Sequence, residues 1–145
     1  MNFLGRFTAI IYFLMRVMVG LMFACHGAAK LLDWFPDPKH PAAAHALDTM
    51  TMIGGSIELI GGLLIAIGLL TPIAAFLASG MMAVAFFMVH AQMGSIVPYV
   101  NKGELAVVYC FVFLYISAHG AGPWSLDALL FRNRQEHIGS RLSPL

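Results

Sequence analysis

Three stretches of this chain run for the length of a bilayer crossing with almost no charge, residues 8–32, 51–70 and 72–92, and a fourth, 104–119, is slightly short, with ends that reach into the interface. A membrane helix needs about 20 mainly apolar residues. Backbone inside hydrocarbon must satisfy its own hydrogen bonds, and a helix does so within one segment. The expected fold is therefore all-α, an integral membrane four-helix bundle forming one domain over residues 1–145. Composition agrees, because only 10% of the chain is charged, against about 25% in a soluble domain. Thr71-Pro72 breaks the second span from the third, with proline suited to the first turn of a helix. Residues 33–50, "DWFPDPKHPAAAHALDTM", make the longest connection and read as an irregular loop with room for a short interfacial helix. The last span stops at "HGAGPW", leaving residues 120–145 as a tail. Trp34 and Trp124 fit interfacial anchors.

Several classes are excluded. Net charge is +1 with no basic stripe, so nucleic acid is not an expected partner. Cys25 and Cys110 lie in separate spans without a CxxC or zinc-type spacing, and read as small buried hydrophobes. The first span does not read as a cleaved leader, because Arg16 interrupts the run and Phe23 spoils "MFAC" as a lipoprotein box. With four spans both termini share one side, which holds Arg6, Arg132, Arg134 and Arg141 against Lys30, Lys39 and Lys102 on the other. The positive-inside rule then favours cytoplasmic termini.

Charges inside the spans carry the functional question. Each costs roughly 2.5–3.5 kcal/mol even on the lenient insertion scale, so such groups face the bundle interior and find partners. Glu58 stands in the otherwise apolar "SIELIGGLLIAIGLL". Helical spacing puts Arg16, Gly20, Phe23, Gly27 and Lys30 on one stripe of the first span, and Gly54, Glu58 and Gly62 on one stripe of the second. Glycines beside the carboxylate allow close helix approach, so Glu58 is expected to meet Arg16 or Lys30. Glu104, Val107, Phe111 and Tyr115 share a face of the fourth span, which predicts an inward Tyr115 and Glu104 at the bundle mouth. His26 and His90 complete the candidate cluster as metal or proton groups, set against the plainer reading of hydrogen-bonded histidines near helix ends. His40 and His45 have a spacing poor for a shared helical face, the ten methionines read as core and lipid-facing filler, and no metal site is expected. No catalytic motif is visible. Glu58 has two open meanings: an ion pair that fixes helix register, or a ligand or proton site.

These residues resemble the DoxX family of small bacterial membrane proteins. The resemblance rests on Arg16, Gly20, Phe23, Gly27 and Lys30, on "IELIGGLLIAIGLLTPIAA" at 57–75, on "NKGE" at 101–104 and on "GAGPWSLD" at 120–127. It implies a four-helix bundle in the bacterial plasma membrane and a redox association, with some members linked to quinone reduction. No flavin, nicotinamide or haem fingerprint is present, so no cofactor is expected in the chain itself beyond a bound quinone or lipid. An electron-carrying cofactor would belong to a protein partner in a larger membrane complex. Three roles follow: an accessory or quinone-associated subunit of a redox system, an assembly subunit with no activity of its own, and, more weakly, a small-molecule or proton transporter. The proline-rich first loop has no counterpart in the resemblance and reads as a local partner surface.

Overall fold

The computed structural model describes residues 3–35 and 48–130. The loop calls at Lys39, His40 and His45 and the tail arginines Arg132, Arg134 and Arg141 lie outside the described residues. Among those described there is no strand. Helix α1 is Thr8–Leu32, preceded by a tight turn at Gly5–Phe7. Helix α2 is Thr49–Ile67, α3 is Thr71–Met93 and α4 is Glu104–His119. The first three are long and apolar enough to cross a membrane, and α4 is a shorter apolar helix. Lipid contact is the consequence, and the protein is an all-α membrane bundle.

Helix ends follow local chemistry. Asp48 caps α2 by accepting from the backbone N–H of Thr51 at 2.8 Å, so the helix begins two residues before the start expected at residue 51. Hydrogen bonding from the Thr51 side chain, and then from its backbone N–H, lowers the Asp48 carboxyl from its ordinary value. At the other end, Gly68 in the left-handed region stops α2 at Ile67, short of residue 70. Helix α2 is also not uniform. Thr49–Ser56 and Gly62–Ile67 are α-helical, and Ile57–Gly61 between them is a π-helical turn that contains Glu58. A second π turn, Phe86–His90, lies in α3.

Helices α1 and α2 meet backbone to backbone along a glycine seam. A Cβ on Gly20 would lie 2.7 Å from the Gly62 carbonyl oxygen and 2.7 Å from the Ala66 nitrogen. A Cβ on Gly27 would lie 2.6 Å from the Gly55 carbonyl oxygen. Seven residues separate Gly20 from Gly27, and seven separate Gly55 from Gly62. Seven residues is close to two turns of the continuous α1, so its two glycines lie on one face and meet α2 twice along the seam. Gly54 plays a different part: its nearest neighbour is the Met81 side chain of α3.

Helix α3 presents Ala74, Ala75, Ala78 and Ser79 to the larger Ala106, Tyr109, Phe113 and Ile116 face of α4. Small residues opposite large ones let the helices interlock. Phe23 of α1 closes the bundle, its ring centroid 4.6 Å from Phe113 and 5.4 Å from Tyr109. Helix α3 packs on α2 through the π turn and the segment Gly62–Ile67. Where α2 begins, the two helices part, and a groove of about 600 Å³ opens between them.

The seam and the groove predict opposite responses to one methyl group. Gly27→Ala drives a Cβ into α2 backbone and is expected to cost about 1–3 kcal/mol, as overpacking does. Gly80→Ala, whose Cβ would meet nothing within 4 Å, is expected to be neutral or slightly stabilising. Thermal unfolding of the two variants in the same detergent checks this.

Candidate functional site

The polar residues of the spans divide into two groups, one at each end of the bundle. At the end that carries the termini, Arg16 is fully buried. It does not meet Glu58 or Lys30. Its guanidinium donates to the carbonyls of Ile65 and Ala66, the latter at 2.9 Å, and to the Trp124 carbonyl at 2.8 Å. The reason is position: Arg16 is one turn beyond the Gly20 contact, which places it at the C-terminus of α2. There the last carbonyls lack helical partners and the helix dipole favours a cation.

The neighbouring turn is built to match. Leu70 is left-handed, with φ of 50°, an unusual state for a residue with a Cβ. Asp127 accepts from the N–H groups of Leu70 at 2.8 Å and Thr71 at 2.9 Å, and its own N–H donates to the Gly68 carbonyl at 2.8 Å. The carboxylate thus caps α3 while Arg16 caps α2. The "GAGPWSLD" segment is the strap that brings Trp124, Ser125 and Asp127 to this turn. Gly68 could not carry a side chain here, since its Cβ would meet Ser125 and Arg16. This group is architecture: the carbonyls and amides that it serves belong to helix ends and to the strap that closes over them.

The opposite end holds the candidate site. Lys30 donates to Oε1 of Glu58 at 2.6 Å, the only ion pair among the described residues. Glu58 is 2% exposed, and its Oε2 has no hydrogen-bond partner. The Lys30 side chain is 42% exposed. It lines the groove between α2 and α3 together with Gly54, Gly55, Met81, Met88 and Phe76. Gly54 and Gly80 leave the groove walls bare, and the remaining lining is aliphatic, aromatic or thioether apart from Thr51. The π turn carries Glu58 to Lys30, in keeping with the frequent use of such turns at functional sites.

The other candidates separate from the pair or change role. Tyr115 is not inward; it is 55% exposed, and Tyr109 is the buried tyrosine of α4. Helix α4 is apolar all round, so its packing face was invisible to a polarity stripe; it is set by Ala106, Phe113 and Ile116 at helical spacing. The Tyr109 hydroxyl is buried without a hydrogen-bond partner. His26 is exposed, with its ring edge-on to Tyr109 at 6.1 Å. His90 pairs its Nδ1 with the Asn101 carbonyl at 3.2 Å and does not approach His26 through any bond. Glu104 opens α4 and is exposed. No group of three or more potential metal ligands occurs among the described residues.

"NKGE" proves to be a loop device. Asn101 is 2% exposed, donates to the Ser95 carbonyl at 2.9 Å and accepts from the Gly103 N–H at 2.8 Å. Sequence reasoning quoted the motif without this role, although a buried Asn beside Gly at a helix start is a known turn signal.

The DoxX family's sequence pattern matches residues 11–91, which takes in most of α1, all of α2 and most of α3 with both ion-pair partners. The chain belongs to the DoxX family. It is 38% identical over 134 residues to an uncharacterized protein of Haemophilus influenzae, covering 91% of this chain and 99% of that one. No solved structure matches it. In this DoxX protein the family match stops before α4, so Tyr109 and the strap at Trp124–Asp127 lie beyond it.

Double-mutant cycles separate the two groups. Lys30→Met and Glu58→Gln are expected to couple by roughly 0.5–3 kcal/mol, as contacting residues do. Arg16→Met and Glu58→Gln should add within about 0.5 kcal/mol, because the two residues share no partner. Chemical or thermal unfolding in detergent of the single and double variants reads both.

Proposed function

We propose that this DoxX-family protein is an accessory, quinone-associated subunit of a redox system in the bacterial plasma membrane, with its termini cytoplasmic. The observation that carries the reading is an apolar groove of about 600 Å³ lined by Lys30, whose ammonium is paired with the buried Glu58. That volume is within the usual range for small-ligand sites, about 300–1,000 Å³. A groove between two membrane helices suits an apolar tail, and Lys30 on its lining suits a polar head.

Charge narrows the class of head. Glu58 neutralises Lys30 at 2.6 Å, so the site carries little net charge to attract a phosphate or a carboxylate. A neutral head with hydrogen-bonding oxygens fits better, and a quinone has that chemistry. Lys30 has ammonium protons beyond the one given to Glu58, and these would hold a ring oxygen. The chain brings no electron-carrying group of its own motif, so a protein partner would supply the electrons.

A second reading, an assembly subunit without a ligand, draws on a different observation. The loop between α3 and α4 exposes Ile96, Val97, Tyr99 and Val100, each more than half exposed. Such a surface suits a helical partner in the membrane interface. The two readings share the partner and differ on the groove.

Filling the groove tells them apart. Gly80→Phe is expected to leave the bundle folded, because the position is open, and to lower quinone retained on purification in mild detergent by about tenfold or more, the effect of losing a buried tail contact. Quantifying extracted quinone per protein by mass spectrometry checks this. Full retention in the variant would favour the assembly reading, in which Glu58 changes lower the amount of complex and not its rate. A reporter fused after residue 145 that is active only in the cytoplasm tests the orientation.

A further inference from the structure

The oxygen that Lys30 leaves alone carries information about the ligand. Oε1 of Glu58 is satisfied by Lys30, and Oε2 is buried and unpartnered. An ionised carboxylate oxygen only accepts hydrogen bonds. Leaving it unmet in a low-dielectric interior costs more than a made bond gives back. The nearby phenol of Tyr109 is the second buried, unpartnered polar group in the same region. Around Glu58, α1 supplies Lys30 and, on the flank against Tyr109, His26 and Cys25. Helix α4 supplies Tyr109, and α3 has no ionisable residue except His90, which is bonded to the Asn101 carbonyl.

Lys30 connects the groove to the carboxylate: it lines the groove and donates to the buried Glu58. Gly54 lines the groove and sits one turn before Glu58 on the same face of α2. Side chains lean toward the start of their helix, so Glu58 leans toward Gly54. Lys30 is the remaining barrier, and its long stem is partly exposed and free to swing.

We infer that this site prefers an amphiphile whose neutral head offers a hydrogen-bond donor, a hydroxylated ring, over the same ring bearing only carbonyl oxygens. The hydroxyl donates to Oε2 of Glu58, and Lys30 donates to a ring oxygen at the mouth. A ring with carbonyls alone meets Lys30 and leaves Oε2 unsatisfied. Sites with a buried polar group discriminate strongly against a ligand that leaves the group unpaired. The inference rests on the quinone-site reading and adds which redox form of the ring is held; it proposes no chemical step.

The test compares decyl-hydroquinone with decyl-benzoquinone on the purified full chain in detergent, under argon, by calorimetry or by quenching of its intrinsic tyrosine and tryptophan fluorescence. The hydroquinone is expected to bind tighter by about tenfold or more, the worth of one hydrogen bond to a charged group. Glu58→Gln should erase that preference, since an amide presents its own donor to a carbonyl. Tyr109→Phe should keep it, since the carboxylate stays in place. Equal affinities for the two rings in the wild-type chain overturn the inference while the groove reading stands, and they assign Oε2 to water or to Tyr109. Binding of neither ring overturns both. If the Glu58 variant fails to fold, the wild-type comparison and the Tyr109 variant decide the question.

Discussion

The glycine seam between α1 and α2 is the constraint on which the rest of this bundle depends. Two contacts, Gly20 with Gly62 and Ala66, and Gly27 with Gly55 and Leu59, fix how far the helices slide and how close they come. Each cation of α1 lies about one turn outside a contact. Arg16 therefore arrives at the open carbonyls that end α2, and Lys30 arrives within reach of Glu58. Without hydrophobic driving force between helices in lipid, close packing of small residues and interhelical polar bonds hold a bundle together. Here the same seam supplies the first and positions the second.

The two charged groups answer different needs. The Arg16–Asp127 end serves helix termini: a cation at the C-terminus of α2 and an anion at the N-terminus of α3, each matched to the local dipole. Its hydrogen bonds are to backbone, and Arg16 Nε and Thr71 Oγ1 stay buried there without partners, away from the groove. The Lys30–Glu58 end is open on one side, keeps one carboxylate oxygen unmet and borders an apolar groove. One chain thus uses buried charge once for architecture and once at a candidate site, and only the surroundings tell the two apart.

Much of the fold was legible because its signals are long-range in sequence and strong. Apolar runs of bilayer length mark helices, and glycines at helical spacing mark where they touch. The stripe geometry allowed Glu58 two cations, and the structure takes Lys30. What could not be read has a physical pattern. Arg16 bonds to backbone carbonyls, which every residue has and no side-chain pattern reveals. Tyr109 and Tyr115 exchange places because α4 is apolar on every side, so polarity does not distinguish its packed face from its lipid face. The π turn around Glu58 depends on how α2 meets its neighbours and leaves no compositional trace. Asn101 organises the loop before α4 through bonds of two to six residues in range, a local device that a search for buried charges overlooks.

The π turn also makes the candidate site a matter of chain length. A π turn accommodates one extra residue within a helix, so the segments on either side are out of phase with a continuous α-helix by about a quarter to a third of a turn. The seam holds Gly55 before the turn and Gly62 after it. A descendant that lost one residue between them could regularise α2 and keep both contacts, but the residues inside the turn would rotate and swing Glu58 away from Lys30. Substitutions can drift freely across the lipid-facing surface of this helix, whereas its length between the two glycines is locked to the position of a single carboxylate.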